Sequence, residues 1–331
     1  MKVFITGGTG FIGSHTAVEL LNEGHEVIIA DNFSNSKRDV LDKIKKITGK
    51  DFLFYEGDIC DKEFLRSVFS KNKIDVVIHF AGYKAVGESV EKPLQYYENN
   101  LLSTLSLCEV MKEHNVKKLV FSSSATVYGT PKELPIKEDA SLSTTNPYGS
   151  TKLFNENILR DLGTSDSSFS IALLRYFNPI GAHESGLLFE DPNGIPNNLM
   201  PYIVKVAKKE LPFLQVFGDD YDTKDGTGVR DYIHVVDLAK GHVLACKRVM
   251  ETKGVDAYNL GTGIGYSVLD IVKTFSHVNH VEVPYKIGKR REGDISSCYA
   301  DPSYAYEKLG FKATKGIEEM CKDAYFPVQN R

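Results

Sequence analysis

Two features of the chain predict chemistry when they are taken together. Tyr148 and Lys152 stand four residues apart, a spacing that places both side chains on one face of a helix. A glycine-dense turn at residues 7–13 can hold the pyrophosphate of a dinucleotide. A phenol can take the proton from an alcohol while the dinucleotide takes its hydride. The two features therefore predict redox chemistry at an alcohol carbon.

A tyrosine needs help to act as a base, because its reference pKa is ~10. Lowering that pKa to near neutral pH requires about 4 kcal/mol in favour of the phenolate. The Lys152 ammonium and an oxidised nicotinamide ring both favour the phenolate, and Lys152 can also donate to ribose hydroxyls. Ser124 ends a serine-rich strand and can share a hydrogen bond with Tyr148 and the substrate hydroxyl. These residue types also occur for structural reasons, so their interpretation depends on a dinucleotide fold.

The glycine turn fits two overlapping dinucleotide patterns, one through Gly8, Gly10 and Gly13 and one that begins at Gly7. It lies between a predicted strand and a predicted helix. Asp31 ends the next strand, at the ~20-residue offset of an acid that binds the ribose. A carboxylate there would repel a 2′-phosphate, so NAD is favoured over NADP. The alternative for Asp31 is a solvated residue at a strand end.

Further cofactor candidates follow the next two strands. Asp58 suits a contact with the adenine amino group, or alternatively caps a helix near Asp61. Phe80, Ala81 and Gly82 end the fourth strand, where small residues let the backbone approach the nicotinamide half; a plain turn is the alternative.

Alternating strands and helices in the first half predict a parallel sheet covered on both faces. We expect an α/β fold, a doubly wound Rossmann-type sheet in residues 1–177, with a smaller α/β substrate-binding domain in residues 178–331. The chain is expected to cross back to the first domain. Predicted strands are at residues 3–6, 26–30, 52–56, 76–80, 119–123 and 171–175; predicted helices are at 12–22, 62–70, 236–249 and 269–277, and from near 148.

Composition excludes several classes of function. The 331 residues include 40 Lys plus Arg and 44 Asp plus Glu, so a net charge of −4 gives no general attraction to nucleic acid or acidic membranes. The five cysteines are scattered, which favours reduced thiols in the cytoplasm and no metal site. No apolar run approaches the ~20 residues that span a bilayer. We expect no signal peptide, since the first strand leads straight into the glycine turn.

Longer motifs carry a more specific resemblance. Residues 79–89, 122–129, 174–179, 197–202, 226–234 and 290–294 resemble the UDP-glucose 4-epimerase family, within the extended short-chain dehydrogenase/reductase superfamily. The resemblance covers nearly the whole chain. It implies that Tyr148, assisted by Ser124, removes the 4-hydroxyl proton of a UDP-hexose as hydride passes to tightly held NAD. The 4-keto sugar then turns and takes the hydride back on its other face. A homodimer through helices near residues 93–112 and 148–162 is also implied.

The resemblance implies the remaining site residues. Arg230 and Arg291 suit a diphosphate, with surface ion pairing as the alternative. Asn178, Asn198, Leu199 and the strand at residues 215–217 match nucleotide-sugar contacts, and Asp294 matches a uridine-ribose contact. Any one of these residues could instead structure a loop. The full cofactor set is Gly7, Gly10, Phe11, Ile12, Gly13, Asp31, Asn32, Asn35, Ser36, Asp58, Ile59, Phe80, Ala81, Gly82, Lys84, Asn99, Ser122, Tyr148, Lys152, Tyr176 and Phe177. The substrate set is Lys84, Ser124, Tyr148, Asn178, Asn198, Leu199, Gln215, Val216, Phe217, Arg230, Tyr232, Arg291, Asp294 and Cys298.

Cys298 departs from a common pattern, because some family members have a bulky tyrosine there, beside the sugar. The freed volume predicts activity on UDP-GlcNAc and UDP-GalNAc as well. A small wall residue without effect on specificity is the alternative.

Other functions stay open. A nucleotide-sugar 4,6-dehydratase begins with the same oxidation but places Asp-Glu where this chain has Ala125 and Thr126. A reductase that releases its cofactor has little support from the uridine-sugar motifs. A non-catalytic NAD-sensing module would not need Tyr148, Lys152 and Ser124 together.

Overall fold

A parallel sheet of seven strands carries the first part of the chain. The computed structural model describes residues 1–191, 196, 198–291 and 293–329, with side chains up to 326. Asn197 and Glu292, which belong to two of the motifs, lie outside the described residues.

The described chain contains two sets of regular elements. The strands are β1 (Lys2–Thr6), β2 (Glu26–Asp31), β3 (Leu53–Glu56), β4 (Val76–His79), β5 (Lys118–Ser124), β6 (Ser170–Tyr176), β7 (Asn178–Ile180), β8 (Leu214–Phe217), β9 (Val229–His234), β10 (Gly254–Leu260), β11 (Gly265–Ser267), β12 (Tyr285–Gly288) and β13 (Ser297–Cys298). The helices are α1 (Phe11–Asn22), α2 (Asp39–Thr48), α3 (Lys62–Lys71), α4 (Val86–Glu91), α5 (Pro93–Glu113), α6 (Pro147–Ser165), α7 (Leu199–Ala207), α8 (Val235–Glu251), α9 (Val268–Asn279), α10 (Ser303–Leu309) and α11 (Ile317–Gln329).

The strands of the large sheet are apolar on both faces because helices cover both. In β1, Val3 and Ile5 belong to one buried cluster, which α1 and α8 complete. Phe4 points the other way, into a cluster with Leu107 of α5 and Leu159 of α6. Such near-continuous apolar runs are typical of parallel sheets. The predicted α/β class with a doubly wound sheet is confirmed.

The strand order decides where a ligand can bind. It is β10-β6-β5-β4-β1-β2-β3, so β2 and β3 are added on one side of β1, and β4, β5, β6 and β10 are added on the other. In such sheets the crevice beyond the carboxyl ends of the strands, at this switch point, is the usual ligand site. Side chains that end five strands meet along this edge: Thr6, Asp31, His79, Ser124 and Tyr176.

Smaller sheets build the second part of the chain. Strand β9 pairs with β7, β11 and β13, and β8 pairs with β12. Their apolar side chains pack with α7, α9 and α11 in a separate cluster. Strand β10, however, pairs with β6 in the large sheet, and α8 packs in the cluster that contains α1. The division of the chain at residue 177 stays a prediction.

The sequence did not anticipate every element. No predicted counterpart exists for helices α2, α4, α7, α10 and α11 or for strands β7, β9, β10, β11, β12 and β13. Asp256 and Asn259 interrupt the apolar residues of β10, and pairing with β6 is what makes this segment a strand. Within the described ranges, no helix is long and apolar enough to cross a membrane.

Candidate active site

The glycine turn forms a close-fitting cradle between β1 and α1. Gly7 has a φ of +68°, and a Cβ there would lie 2.8 Å from the backbone nitrogen of Ala81. A Cβ on Gly13 would lie 2.4 Å from the carbonyl oxygen of Gly7. Gly10 is the N-cap of α1, and no described side chain caps this helix. The uncovered N–H groups and positive helix end fit a dinucleotide pyrophosphate.

Asp31 lies at the end of β2, beside this cradle. Its carboxylate accepts hydrogen bonds from the backbone nitrogens of Thr9, at 3.1 Å, and Phe33, at 2.9 Å. The Ser36 hydroxyl donates to it at 3.2 Å. The carboxylate therefore organises the local loops and also lines the cleft, where a ribose hydroxyl could donate to it.

A cleft of about 800 Å³ runs along the carboxyl edge of the sheet. It brings together every predicted cofactor residue except Phe177. Asp58 faces this cleft and accepts from the backbone nitrogen of Cys60 at 2.8 Å. The helix cap that was the alternative for Asp58 is made by Asp61, which accepts from two backbone nitrogens of α3.

Helix α6 delivers the tyrosine and the lysine to the other end of the cleft. Asn146 caps the helix by accepting from the backbone nitrogen of Gly149 at 2.8 Å, and Pro147 occupies its first turn. A Cβ on Gly149 would lie 3.2 Å from the carbonyl oxygen of Thr126. This close approach places Tyr148 beside the end of β5.

Lys152 is buried against the same strand end. Its Nζ donates to the carbonyl oxygen of Ser122 at 2.6 Å and lies 5.8 Å from the centre of the Tyr148 ring. The Tyr176 hydroxyl donates to the Ser122 hydroxyl. The helix face that carries Tyr148 and Lys152 is thus bound to β5 directly, and to β6 through the Ser122–Tyr176 hydrogen bond.

The Ser124 hydroxyl is arranged to pass on a proton. It accepts hydrogen bonds from the backbone nitrogen and the hydroxyl of Thr126, at 3.2 and 3.0 Å. Its own proton remains available toward Tyr148, and this contact lowers the pKa of the phenol, although less than burial raises it. Ser124 can therefore connect Tyr148 to a substrate hydroxyl.

The ionisation of Tyr148 differs from the expectation. Burial raises the pKa of the phenol to about 12, against the opposing effect of Ser124. Burial also lowers the pKa of Lys152 to about 8, against the opposing charge of Glu156. The described groups of this chain therefore do not lower the pKa of Tyr148 to near neutral pH. A further positive charge beside Tyr148 is needed for that.

A second group of candidates lies in the second part of the chain, on β8 and β9 and in the turn before β13. The guanidinium of Arg230 is 3.8 Å from the Asp294 carboxylate, and the guanidinium of Arg291 lies 3.9 Å from the centre of the Phe217 ring. Among the described residues the buried hydroxyl of Tyr221 has no hydrogen-bond partner, and burial raises its pKa, with the Asp294 carboxylate adding to the effect. Sequence reasoning missed Tyr221, which nothing in its local pattern distinguishes.

Two candidates from different parts of the chain meet on one carboxylate. Lys84 Nζ and Asn198 Nδ2 donate to Oε1 of Glu190, at 3.0 and 2.8 Å. All three side chains line the cleft, and Leu199 begins α7 directly after Asn198. Glu190 is a second residue that sequence reasoning did not select.

The other substrate candidates are more dispersed. Gln215 and Val216 lie in β8, where Gln215 Nε2 donates to the carbonyl oxygen of Lys286 at 3.1 Å. Tyr232 is buried within the apolar cluster of the second part, and Asn178 pairs with it in register from β7. Their contacts with a substrate stay predictions.

Phe177 and Cys298 share an apolar cluster with Ala125, which follows Ser124. Phe177 does not line the cleft, so its ring packs behind the site. Cys298 stands opposite Arg230 in the pairing of β13 with β9. Cys298 therefore lies between the predicted diphosphate contact and the predicted proton-transfer groups.

Asn100 is a buried residue that sequence reasoning missed. Its Oδ1 accepts from the backbone nitrogen of Tyr83 at 2.7 Å, and its Nδ2 donates to the Thr151 hydroxyl at 3.0 Å. Its carbonyl oxygen accepts from Asn155 Nδ2 at 2.9 Å. Asn100 thus joins the cleft wall to α6. On its own it looks like any polar residue of a helix.

Comparison with known proteins agrees with this geometry. The profile of the family described as GDP-mannose 4,6 dehydratase matches residues 4–324. A UDP-glucose 4-epimerase of Bacillus subtilis is 61% identical over 325 residues, which is 98% of this chain and 96% of the relative. The chain belongs to the UDP-glucose 4-epimerase family.

Solved structures of this family have the same fold. That of the Bifidobacterium longum epimerase, in complex with NAD+ and UDP, has a TM-score of 0.97 and 57% identity, and the match covers 100% of this chain and 99% of that one. A Stenotrophomonas maltophila epimerase, with NAD and formylated UDP-arabinopyranose bound, has a TM-score of 0.98 and 47% identity over 100% of this chain and 98% of that one. The family resemblance drawn from the motifs is confirmed.

Replacing Tyr148 with Phe removes the hydroxyl that would take the substrate proton but leaves the cleft in place. We expect turnover to fall roughly 10²–10⁴-fold, the range for losing a general base. Bound cofactor, measured by absorbance after denaturation, should stay at the wild-type level. The exposed Tyr306→Phe is the matched control and should leave turnover unchanged. Full activity of Tyr148→Phe would refute the assignment.

Proposed function

We propose that this chain interconverts UDP-glucose and UDP-galactose with NAD as its cofactor. The observation that carries this conclusion is the single cleft that has the glycine cradle at one end and Tyr148 with Lys152 at the other. Sequence identity of 61% to an epimerase over 98% of this chain supports the same activity, as does a family structure that contains NAD+ and UDP.

Tyr148 takes the proton of the 4-hydroxyl, with Ser124 as the connecting hydroxyl. Bound NAD would supply the hydride acceptor and donor for C4, and its oxidised ring would add the positive charge that the Tyr148 phenol needs. Lys152 donates to the Ser122 carbonyl and holds its charge beside the phenol. The 4-keto sugar would turn, present its other face to the hydride and regain its proton from Tyr148.

The nucleotide would be held at a distance from the reacting carbon. Arg230 and Arg291 carry guanidinium groups suited to a diphosphate, and Asp294 beside Arg230 suits a ribose hydroxyl. Binding energy from this remote part of the substrate leaves the sugar free to turn. The Tyr221 hydroxyl, which has no partner in the part of the chain that the structure describes, supports a polar ligand here.

A 4,6-dehydratase is the rival that the matching family profile raises. Elimination of water needs an acid and a base beside the sugar. The positions after Ser124 hold Ala125, which is buried and apolar, and Thr126, whose hydroxyl donates to Ser124. Neither side chain can do this work, so the sequence and the local geometry favour epimerisation.

Cys298 supports a wider substrate range. It is a small residue, 9% exposed, beside the turn that follows Ser124 and opposite Arg230. A larger side chain at this point would occupy space next to the sugar. We infer that UDP-GlcNAc and UDP-GalNAc are substrates too.

A homodimer is also proposed, through the outer faces of α5 and α6. Leu94, Leu102 and Leu105 lie on one face of α5 and are 81%, 40% and 41% exposed. Phe154 of α6 is exposed as well and stacks on Tyr97, with ring centres 6.0 Å apart. Apolar surface of this kind favours association with a second copy.

The five free cysteines favour a cytoplasmic location.

The main activity is tested with UDP-galactose that carries deuterium at C4, incubated with the purified protein and NAD. We expect UDP-glucose that retains the deuterium, because the hydride leaves and returns within one site. Mass spectrometry of the product checks this. Exchange of the label with solvent protons, or no conversion at all, would contradict the proposed function.

Substitution of Cys298 tests the substrate range. Cys298→Tyr should lower conversion of UDP-GalNAc roughly tenfold or more, through steric exclusion, while conversion of UDP-galactose is largely kept. Cys298→Ala is the matched control and should keep both activities. If the tyrosine variant and the wild type convert UDP-GalNAc equally well, or neither does, the inference fails.

The dimer is tested by placing a charge within the apolar face. Leu105→Arg should produce a monomer in sedimentation experiments, because a guanidinium would be buried without a partner. Ile264→Arg, on an exposed residue elsewhere, should leave the assembly as in the wild type. A wild type that sediments as a monomer would disprove the dimer.

A further inference from the structure

We propose that Glu156 is a positioning residue of the reaction, whose carboxylate, held by Arg175, supports the ammonium of Lys152 and the strand end that carries Ser124. The inference rests on the proposed function and assigns a role to two residues outside the predicted site.

Four polar side chains follow one another along one face of α6. Tyr148, Lys152, Glu156 and Arg160 follow one another at intervals of four residues, so they line one face of the helix. Glu156 is fully buried, whereas Arg160 is at the surface, 3.9 Å from the Glu156 carboxylate. Phenol, cation and anion are thus arranged in order from the cleft into the interior.

Arg175 holds the Glu156 carboxylate in one orientation. Its Nε donates to Oε1 at 2.9 Å and its Nη2 to Oε2 at 2.6 Å, and its side chain is 1% exposed. Its Nη1 donates to the Tyr128 hydroxyl at 3.0 Å and to the Glu138 carbonyl oxygen at 2.9 Å. Two-point pairing of this kind fixes geometry as well as charge.

The same carboxylate contacts the strand that carries the proton-transfer groups. Oε1 of Glu156 accepts from the Ser123 hydroxyl at 2.5 Å. Ser123 lies between Ser122, whose carbonyl oxygen accepts from Lys152, and Ser124, which faces Tyr148. Glu156 therefore lies one helical turn from Lys152, on which its charge acts, and contacts the residue next to Ser124 on the strand.

The charges around Lys152 leave Glu156 as its counter-charge. Burial lowers the pKa of Lys152 to about 8, and the Glu156 carboxylate opposes this. His79 of β4 is neutral, since burial lowers its pKa to about 3 with Lys152 adding to the effect. From β6, Arg175 is turned toward Glu156, and burial raises the pKa of the Tyr176 phenol.

Loss of the Glu156 charge would therefore act on catalysis through Lys152. Without its counter-charge the buried ammonium loses its proton at lower pH. Tyr148, whose pKa burial raises to about 12, then has less support for its phenolate. Because activity requires the ammonium, kcat should be lost at lower pH on the alkaline side, while KM for UDP-galactose should stay unchanged.

The test is Glu156→Gln, which keeps the shape of the side chain and an acceptor for Ser123. We expect the alkaline limb of the kcat profile to move down by about 1 pH unit, with kcat above about pH 8 reduced roughly tenfold. Arg160→Gln, which removes the exposed partner of Glu156, is the control and should keep the wild-type limb. A limb that stays in place in Glu156→Gln would overturn the proposal, since a purely structural role lowers the amount of active enzyme without moving it.

Glu156→Gln leaves the guanidinium of Arg175 buried and unpaired, which can prevent folding. The double variant Glu156→Gln with Arg175→Met removes both charges, a change that folded proteins often tolerate. A shift in the same direction is expected in it, smaller because the Arg175 cation is lost as well, with NAD content and thermal unfolding as checks of the fold. A folded double variant with the wild-type limb overturns the proposal. A wild type that does not convert UDP-galactose contradicts the proposed function instead.

Discussion

The burial of the Lys152 ammonium is the constraint on which the rest of the site depends. A charged amine inside a protein is stable only where hydrogen bonds and a counter-charge replace its water. Here the carbonyl oxygen of Ser122 accepts from it at 2.6 Å and Glu156 supplies the opposing charge. These partners belong to β5 and α6, so satisfying the lysine also fixes the helix against the strand. Tyr148 and Ser124, which belong to the same two elements, are aligned as a consequence.

The two ends of the cleft are connected through buried polar groups beneath it. The hydroxyl of Thr6, at the end of β1, lies 2.7 Å from the ring of His79, whose other nitrogen lies 3.2 Å from the Thr104 hydroxyl. The Thr104 hydroxyl also donates to the carbonyl oxygen of Asn100, which binds α6 as well. The glycine cradle and the proton-transfer groups therefore share one rigid support. Buried hydrogen-bonded networks of this kind hold the side chains above them in place.

The second part of the chain supplies candidate contacts for the nucleotide rather than groups for proton transfer. Its candidate contacts are on β8, β9 and β13 and in the turn before β13, and the arginine and acid among them pair with each other at 3.8 Å. Contacts that come from short strands and turns can hold a nucleotide firmly without enclosing the sugar. An epimerase needs this separation, since the sugar must present both faces to one hydride donor.

The sequence by itself determined the local chemistry. Strand, glycine turn and helix follow from apolar runs and turn residues, and the four-residue spacing of Tyr148 and Lys152 follows from the helix period. These features depend on near neighbours in the chain, so the α/β class could be predicted, together with candidates that the fold gathers along one cleft. Asp58 likewise came from its place after a strand, and the cap that competed with it proved to be Asp61.

Only the tertiary structure decided which distant residues meet. The pairing of Glu156 with Arg175, the attachment of Asn100 to α6, and the meeting of Lys84 with Asn198 on Glu190 join segments far apart in sequence. No local pattern encodes such contacts, because they depend on the order in which strands enter the sheet. The ionisation of Tyr148 belongs here too. Spacing placed a lysine nearby, but the depth of burial, which raises the pKa of the phenol, is a property of the whole fold.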